Sequence, residues 1–327
     1  MKKRIVELDI AKAISIAIIV FSHLTFSGQF QRDFVSLFDV PVFFILSGYF
    51  FKNTSFKESI SKGIKRYLVP AYVFLLLDIV KDIFISNDFA SFFNIEYFLK
   101  TIFFLGGAFR NYPLWFLVVL FCLIVIFNFI KNDKARLIVS ALLIISNNFI
   151  KVPFNGYFWP ICILYGFPFF CVGYLLRKKS VVLNKRKNIY DFLVSLIVLV
   201  IMTKLFGYNS MIEQIFTKSY ILFFVAGLVG FYNIISLSNI IVNIPFRKYI
   251  ISIGLHTKFI LITHYYLCRG LVMKFLVLIG LEIQKYNALF QLIATLIIIF
   301  MYVAFFELFD KYASSYVKQI VKKIGIL

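Results

Sequence analysis

The residues best placed to do chemistry in this chain sit inside its first apolar stretch, RIVELDIAKAISIAIIVFSHLTFSG, residues 4–28. That stretch carries Asp9, Lys12 and His23 among residues greasy enough to enter a bilayer. A charge at membrane depth costs about 2.5–3.5 kcal/mol on insertion scales, so such groups are read first as functional. Lys12 and His23 are eleven positions apart. In a helix they return to nearly the same face, roughly 16 Å apart along the axis. Asp9, three residues before Lys12, shares that face. Histidine is the side chain best suited to move protons near neutral pH, so His23 is the candidate acid–base group of this stripe.

The other histidines are His256 and His264. His264, in FILITHYYLC, reads equally as a hydrogen-bonded packing residue or as a functional one, and His256 reads as packing. In DVPVFFILSGYFF the pair Ser47–Gly48 either lets two helices approach closely or leaves a gap where a hydroxyl and backbone face a ligand. In KGIKRYLVPAY the cations Lys62, Lys65 and Arg66 either anchor a helix end at the cytoplasmic surface or bind phosphate through charge-assisted bonds. Trp115, in NYPLWFLVVLF, is an interfacial belt residue or a cavity wall. Asp78, Lys81 and Asp82 are spaced to pair along one helix. No Walker loop, no helix-opening G-x-G-x-x-G and no H-E-x-x-H occurs, which argues against phosphoryl transfer, dinucleotide redox and zincin chemistry. No metal site is expected.

The elements that position these groups follow from composition. Hydrophobic residues make up 61% of the 327 residues and charged residues 15%, and apolar runs near 20 residues recur, the mark of transmembrane helices. The expected fold is all-α: one polytopic membrane domain, 1–327, with spans near 8–27, 34–51, 68–86, 113–130, 136–150, 157–176, 189–206, 219–237, 249–268 and 287–309, ending in a basic tail from about 311. The short apolar segments 95–107 and 270–281 are expected to be re-entrant or interfacial. The net charge of +20 would suggest nucleic acid in a soluble protein. Here the basic residues concentrate in alternate short loops, so a membrane explains the charge without nucleic acid and places both chain ends in the cytoplasm. The cysteines Cys122, Cys162, Cys171 and Cys268 all fall in apolar segments without metal-ligand spacing and read as core residues. The first span lacks a small-residue cleavage site after it, so it is expected to remain as a membrane anchor.

Several stretches together resemble the acyltransferase 3 family of bacterial integral-membrane acyltransferases. They are Leu8-Asp9 with Lys12 and His23; PVFFILSGYFF; KRYLVPAY; PLWFL; GFPFFCVGYLL (Gly166 to Leu176); and FILITHYY. They occur in the family's order from residue 4 to about 268. The resemblance implies about ten spans, acyl-CoA as donor, and an acceptor on the outer face or on a lipid-linked glycan. It makes His23 the key catalytic residue, with Lys12 as its basic partner. Many members carry Arg where Lys12 stands, and the planar Arg fork does not transfer to Lys. Some members also carry a soluble esterase-like domain; the short form looks most like those tied to sugar O-acetylation and adhesin polysaccharides.

The expectation is therefore a multi-pass O-acyltransferase of the bacterial plasma membrane, acting on a surface polysaccharide or its lipid-linked precursor, with acetyl-CoA as the expected donor. Its expected catalytic groups are His23, Lys12 and Asp9; substrate contacts are Ser47, Gly48, Trp115 and His264; the donor's phosphates meet Lys62, Lys65 and Arg66. Its partners would be the bilayer, the glycan and either a second copy or a polysaccharide-synthesis complex. Rival readings are a glycan exporter or flippase, and a structural subunit of a polysaccharide synthase.

Overall fold

The computed structural model describes residues 5–24, 28–86, 94–103, 112–153, 158–179, 189–272, 278, 280 and 288–325. The chain is helical nearly throughout. The first helix, α1 (Val6–His23), is followed by α2 (Gln29–Ser36) and α3 (Asp39–Phe50), then α4 (Phe56–Gly63), a π-helical turn at Ile64–Leu68, and α5 (Val69–Ser86). Beyond α6 (Ile95–Ile102) come α7 (Trp115–Phe129), α8 (Asp133–Ser146), α9 (Ile161–Lys178) and α10 (Ile189–Phe206). A short hairpin, β1 (Asn209–Ser210) and β2 (Ile215–Phe216), leads into α11 (Tyr220–Ile241). The chain continues through α12 (Arg247–Leu255), α13 (Thr257–Tyr265), a second π-helical turn at Tyr266–Val272, α14 (Ala288–Tyr312) and α15 (Ser315–Lys323).

Each of the ten apolar segments is helical over most of its described residues, and the ninth is broken at His256 into α12 and α13. Among the described residues five helices are long and apolar enough to cross a membrane: Gln29–Phe50 (α2 running into α3), α9, α10, α11 and α14. The 18-residue helices α1 and α5 match them in length but each carries three charged residues, Glu7, Asp9 and Lys12 in one, Asp78, Lys81 and Asp82 in the other. Only part of 95–107 and of 270–281 is described, and the side chains of Lys81 and Asp82 lie outside the described residues.

Helix α1 is the hub, packing against α3, α11, α12, α13 and α14. Two close approaches fix this layout. A Cβ at Gly254 of α12 would come within 1.9 Å of the Asp9 carbonyl oxygen, so only glycine lets that helix lie against the Asp9 turn of α1. Helices α3 and α9 press backbone to backbone through Gly48 and Gly173, the close contact that small residues permit between membrane helices. Inside α9, Pro168 cannot donate to the carbonyl of Leu164, four residues back. Asn147 Nδ2 donates to that oxygen instead, at 3.1 Å. Where α7, α8 and α9 meet, Arg136 is buried and donates to the carbonyls of Ile130 and Phe127, to Asn53 and to Asp133. The rings of Phe51, Phe127 and Tyr174 surround its guanidinium.

Candidate functional site

The C-terminal turn of α1 is held from two sides. A helix end leaves carbonyls without intrahelical donors, and here Gln291 of α14 supplies one: its Nε2 donates to the carbonyls of Leu24, at 2.6 Å, and of Phe21. His23 secures itself one turn back, with Nδ1 2.8 Å from the carbonyl oxygen of Ile19. A carbonyl only accepts, so Nδ1–H is the donor. The neutral imidazole then keeps its lone pair on Nε2, the atom a general base uses. Two further rings stand almost perpendicular to His23: His264 with centroids 4.8 Å apart, and Tyr265 at 6.0 Å.

His23 lines a cavity of about 340 Å³ whose walls come from widely separated parts of the chain. α1 contributes Ser22 and His23; α2 and α3 contribute Arg32 and Asp39; α7 contributes Trp115; and the β hairpin region contributes Tyr208 and Glu213. The hairpin is tied down at both ends. The Asn209 N–H donates to Ser36 Oγ at 3.1 Å, and Gln214 exchanges two hydrogen bonds with the backbone of Val152. Gln214 has φ 57°, a left-handed conformation uncommon for a residue other than glycine. Arg32 stacks over Tyr208, 4.7 Å from the ring, and Tyr208 Oη donates to Glu213 at 3.0 Å. The cavity therefore offers an imidazole base, carboxylates, a guanidinium and flat aromatic walls. These are groups that hydrogen-bond and stack on a polyhydroxylated ligand.

At the other end of α1, Lys12 Nζ lies 2.8 Å from Asp9 and 4.5 Å from the centre of the Phe50 ring. The pair cancels charge within a mostly apolar helix. It shares a face with His23 but not the cavity. Ser47 is half-buried, and Gly48 backs onto the Phe170 carbonyl, where a Cβ would lie 2.0 Å from the oxygen. Trp115 is on the cavity wall, whereas His264 is fully buried behind His23. Lys65 and Arg66 project from the exposed π-helical turn Ile64–Leu68, and π turns gather at functional sites. Lys62 is engaged with Glu58 at 2.5 Å. That neighbouring ammonium holds the Glu58 carboxyl below its usual range. The chain end returns to this turn, with Gly325 against the Lys65 carbonyl.

Arg32, Tyr208 and Glu213 were not singled out by the sequence reading. Arg32 lies on the short helix α2, Tyr208 just before the hairpin and Glu213 between its strands, and only the fold brings them to His23.

The family model described as an acyltransferase domain, acyltransferase 3, matches residues 5–308. The chain belongs to that family. Comparison with curated proteins and with solved structures gave no match.

Proposed function

We propose that this protein is a bacterial plasma-membrane O-acetyltransferase that moves acetyl from acetyl-CoA to a hydroxyl of a surface polysaccharide or its lipid-linked precursor. The observation that carries the reading, within a family of acyltransferases, is His23: its Nδ1–H is committed to Ile19 while its ring borders a cavity with polar and aromatic walls. The acceptor hydroxyl enters that cavity beside Trp115. Its oxygen attacks the thioester carbonyl carbon as its proton passes to Nε2 of His23. The C–S bond then breaks, and the proton leaves with the CoA sulfur as the thiol. A thioester is activated enough that one base and correct positioning suffice, so the reaction as written needs no metal.

The donor's phosphates bind at Lys62, Lys65 and Arg66, at the cytoplasmic mouth, where exposed cations make charge-assisted bonds. The thioester arm then runs along α1 past Asp9, Lys12 and the half-buried Ser47 of α3. In this proposal all ten apolar helices span the membrane and both chain ends are cytoplasmic. A homo-oligomer or a complex with the polysaccharide-synthesis machinery would bring the acceptor to the cavity.

Acetyl-CoA binding to the purified protein tests the donor half directly. Saturable binding that weakens about tenfold when Lys65 and Arg66 are both changed to Ala supports the proposal. Absence of binding, together with unacylated product glycan, would favour an exporter of lipid-linked glycan.

A further inference from the structure

The strongest feature outside the cavity itself lies directly behind it. His264 has 0% exposure. Its Nδ1 donates to two carbonyls of its own helix, Ile260 at 3.0 Å and Leu261 at 2.9 Å. This fixes it, like His23, as the Nδ1–H tautomer with a lone pair on Nε2. That Nε2 is buried and has no hydrogen-bond partner among the described residues. Leaving such an atom unsatisfied costs about 1–3 kcal/mol, and a packing residue of the same shape, Phe, would avoid the cost. The ring bearing it stands nearly perpendicular to that of His23, 4.8 Å centroid to centroid with planes 80° apart.

We propose that His264 is a positioning residue for His23: its ring holds the base upright between Ile19 and Tyr265, and its unused Nε2 lone pair offsets the positive charge His23 acquires when it takes the acceptor's proton. This rests on His23 acting as the base. During transfer the acceptor O–H bond breaks and the proton joins His23 Nε2, so one unit of positive charge appears on the half-buried His23 ring, next to His264. A fixed neutral dipole whose negative end, the Nε2 lone pair, is turned toward that ring stabilises the charged state more than the resting one. Interactions of that kind lower a barrier without tightening substrate binding. His264 touches neither substrate, since the cavity wall passes in front of it.

The test compares full-length wild type with His264→Phe, His264→Gln and His23→Ala in membrane vesicles at matched protein level. Radiolabelled acetyl-CoA is the donor and the vesicle's own glycan the acceptor. Phe keeps a ring and removes the lone pair; Gln returns an acceptor at the same reach. The expected result is a kcat lowered about 10- to 100-fold in His264→Phe, the size known for losing the outer partner of a metal-ligating histidine and taken as the scale for a ring that supports a base. KM for acetyl-CoA should stay within about twofold, and His264→Gln should turn over severalfold faster than His264→Phe. Wild-type kcat in His264→Phe, with His23→Ala dead, would overturn the role of His264 and leave that of His23 standing. Equal loss in Phe and Gln variants would also overturn it, because a lone pair would then make no difference. Full activity in His23→Ala would instead remove the underlying reading.

Discussion

At the residue scale the account turns on which nitrogen carries a proton. His23 and His264 both spend Nδ1–H on carbonyls of their own helices, so their chemistry lies on Nε2. Changing His23 to Ala should therefore lower acetyl transfer by about 10²- to 10⁴-fold, the range for losing a general base, while detergent-extracted protein keeps its melting temperature. Asp39 tests the acceptor side of the same cavity. Asp39→Asn should raise the acceptor's KM severalfold and leave that of acetyl-CoA alone; equal effects on both would contradict separate donor and acceptor sites. Asp133 lies outside the apolar spans. Lys178, Tyr174 and Arg136 hold its carboxyl below the usual range. A folded-state value below the unfolded one contributes stability above the unfolded value, lost as pH falls through the folded one. Asp133→Asn should thus cost about 1–2 kcal/mol at neutral pH and flatten the loss of stability below about pH 4, read by thermal melts across pH.

At the element scale, the helices were legible and their junctions were not. Runs of about 20 apolar residues announce helices because only a helix satisfies its backbone in lipid within a single segment of that length. Asp9, Lys12 and His23 were legible for the same reason, since charge in such a run is costly. The break at His256 left no such mark, since it follows from packing: His256 Nδ1 turns back to the Ser252 carbonyl while its ring stacks on Phe306 at 4.1 Å. The hairpin at 209–216 was also missed, because two-residue strands carry no periodicity to read. Two helix contacts make firm tests. Gly173→Ala puts a Cβ 1.8 Å from the Ile45 carbonyl oxygen. It should cost at least about 1–3 kcal/mol as overpacking, seen as a lower melting temperature and poorer yield. Gln291→Leu removes the donor that satisfies the Leu24 and Phe21 carbonyls. It should loosen the His23 turn and reduce kcat more than KM.

At the scale of the whole molecule, a chain of net charge +20 keeps two kinds of charged surface in separate places. Exposed cations gather at the π-helical turn with Lys65 and Arg66, while the cavity by His23 holds Asp39 and Glu213 with Arg32. That separation suits the proposed division of labour, with a polyanionic donor at the cations and a hydroxylated acceptor in the cavity. Its walls were not legible in sequence, because residues near 23, 39, 115 and 210 meet only through the packing of α1, α3 and α7 under the hairpin. With cytoplasmic ends, a C-terminal fluorescent-protein fusion should fluoresce and an alkaline phosphatase fusion should stay inactive; the reverse pattern would invert the topology. The most direct test of the central claim is transfer of radiolabelled acetyl from acetyl-CoA in inverted vesicles, wild type beside His23→Ala at equal membrane levels. Label entering a glycan or lipid-linked fraction with the wild type alone is the expected result. Equal labelling by the two proteins would contradict His23 as the catalytic base.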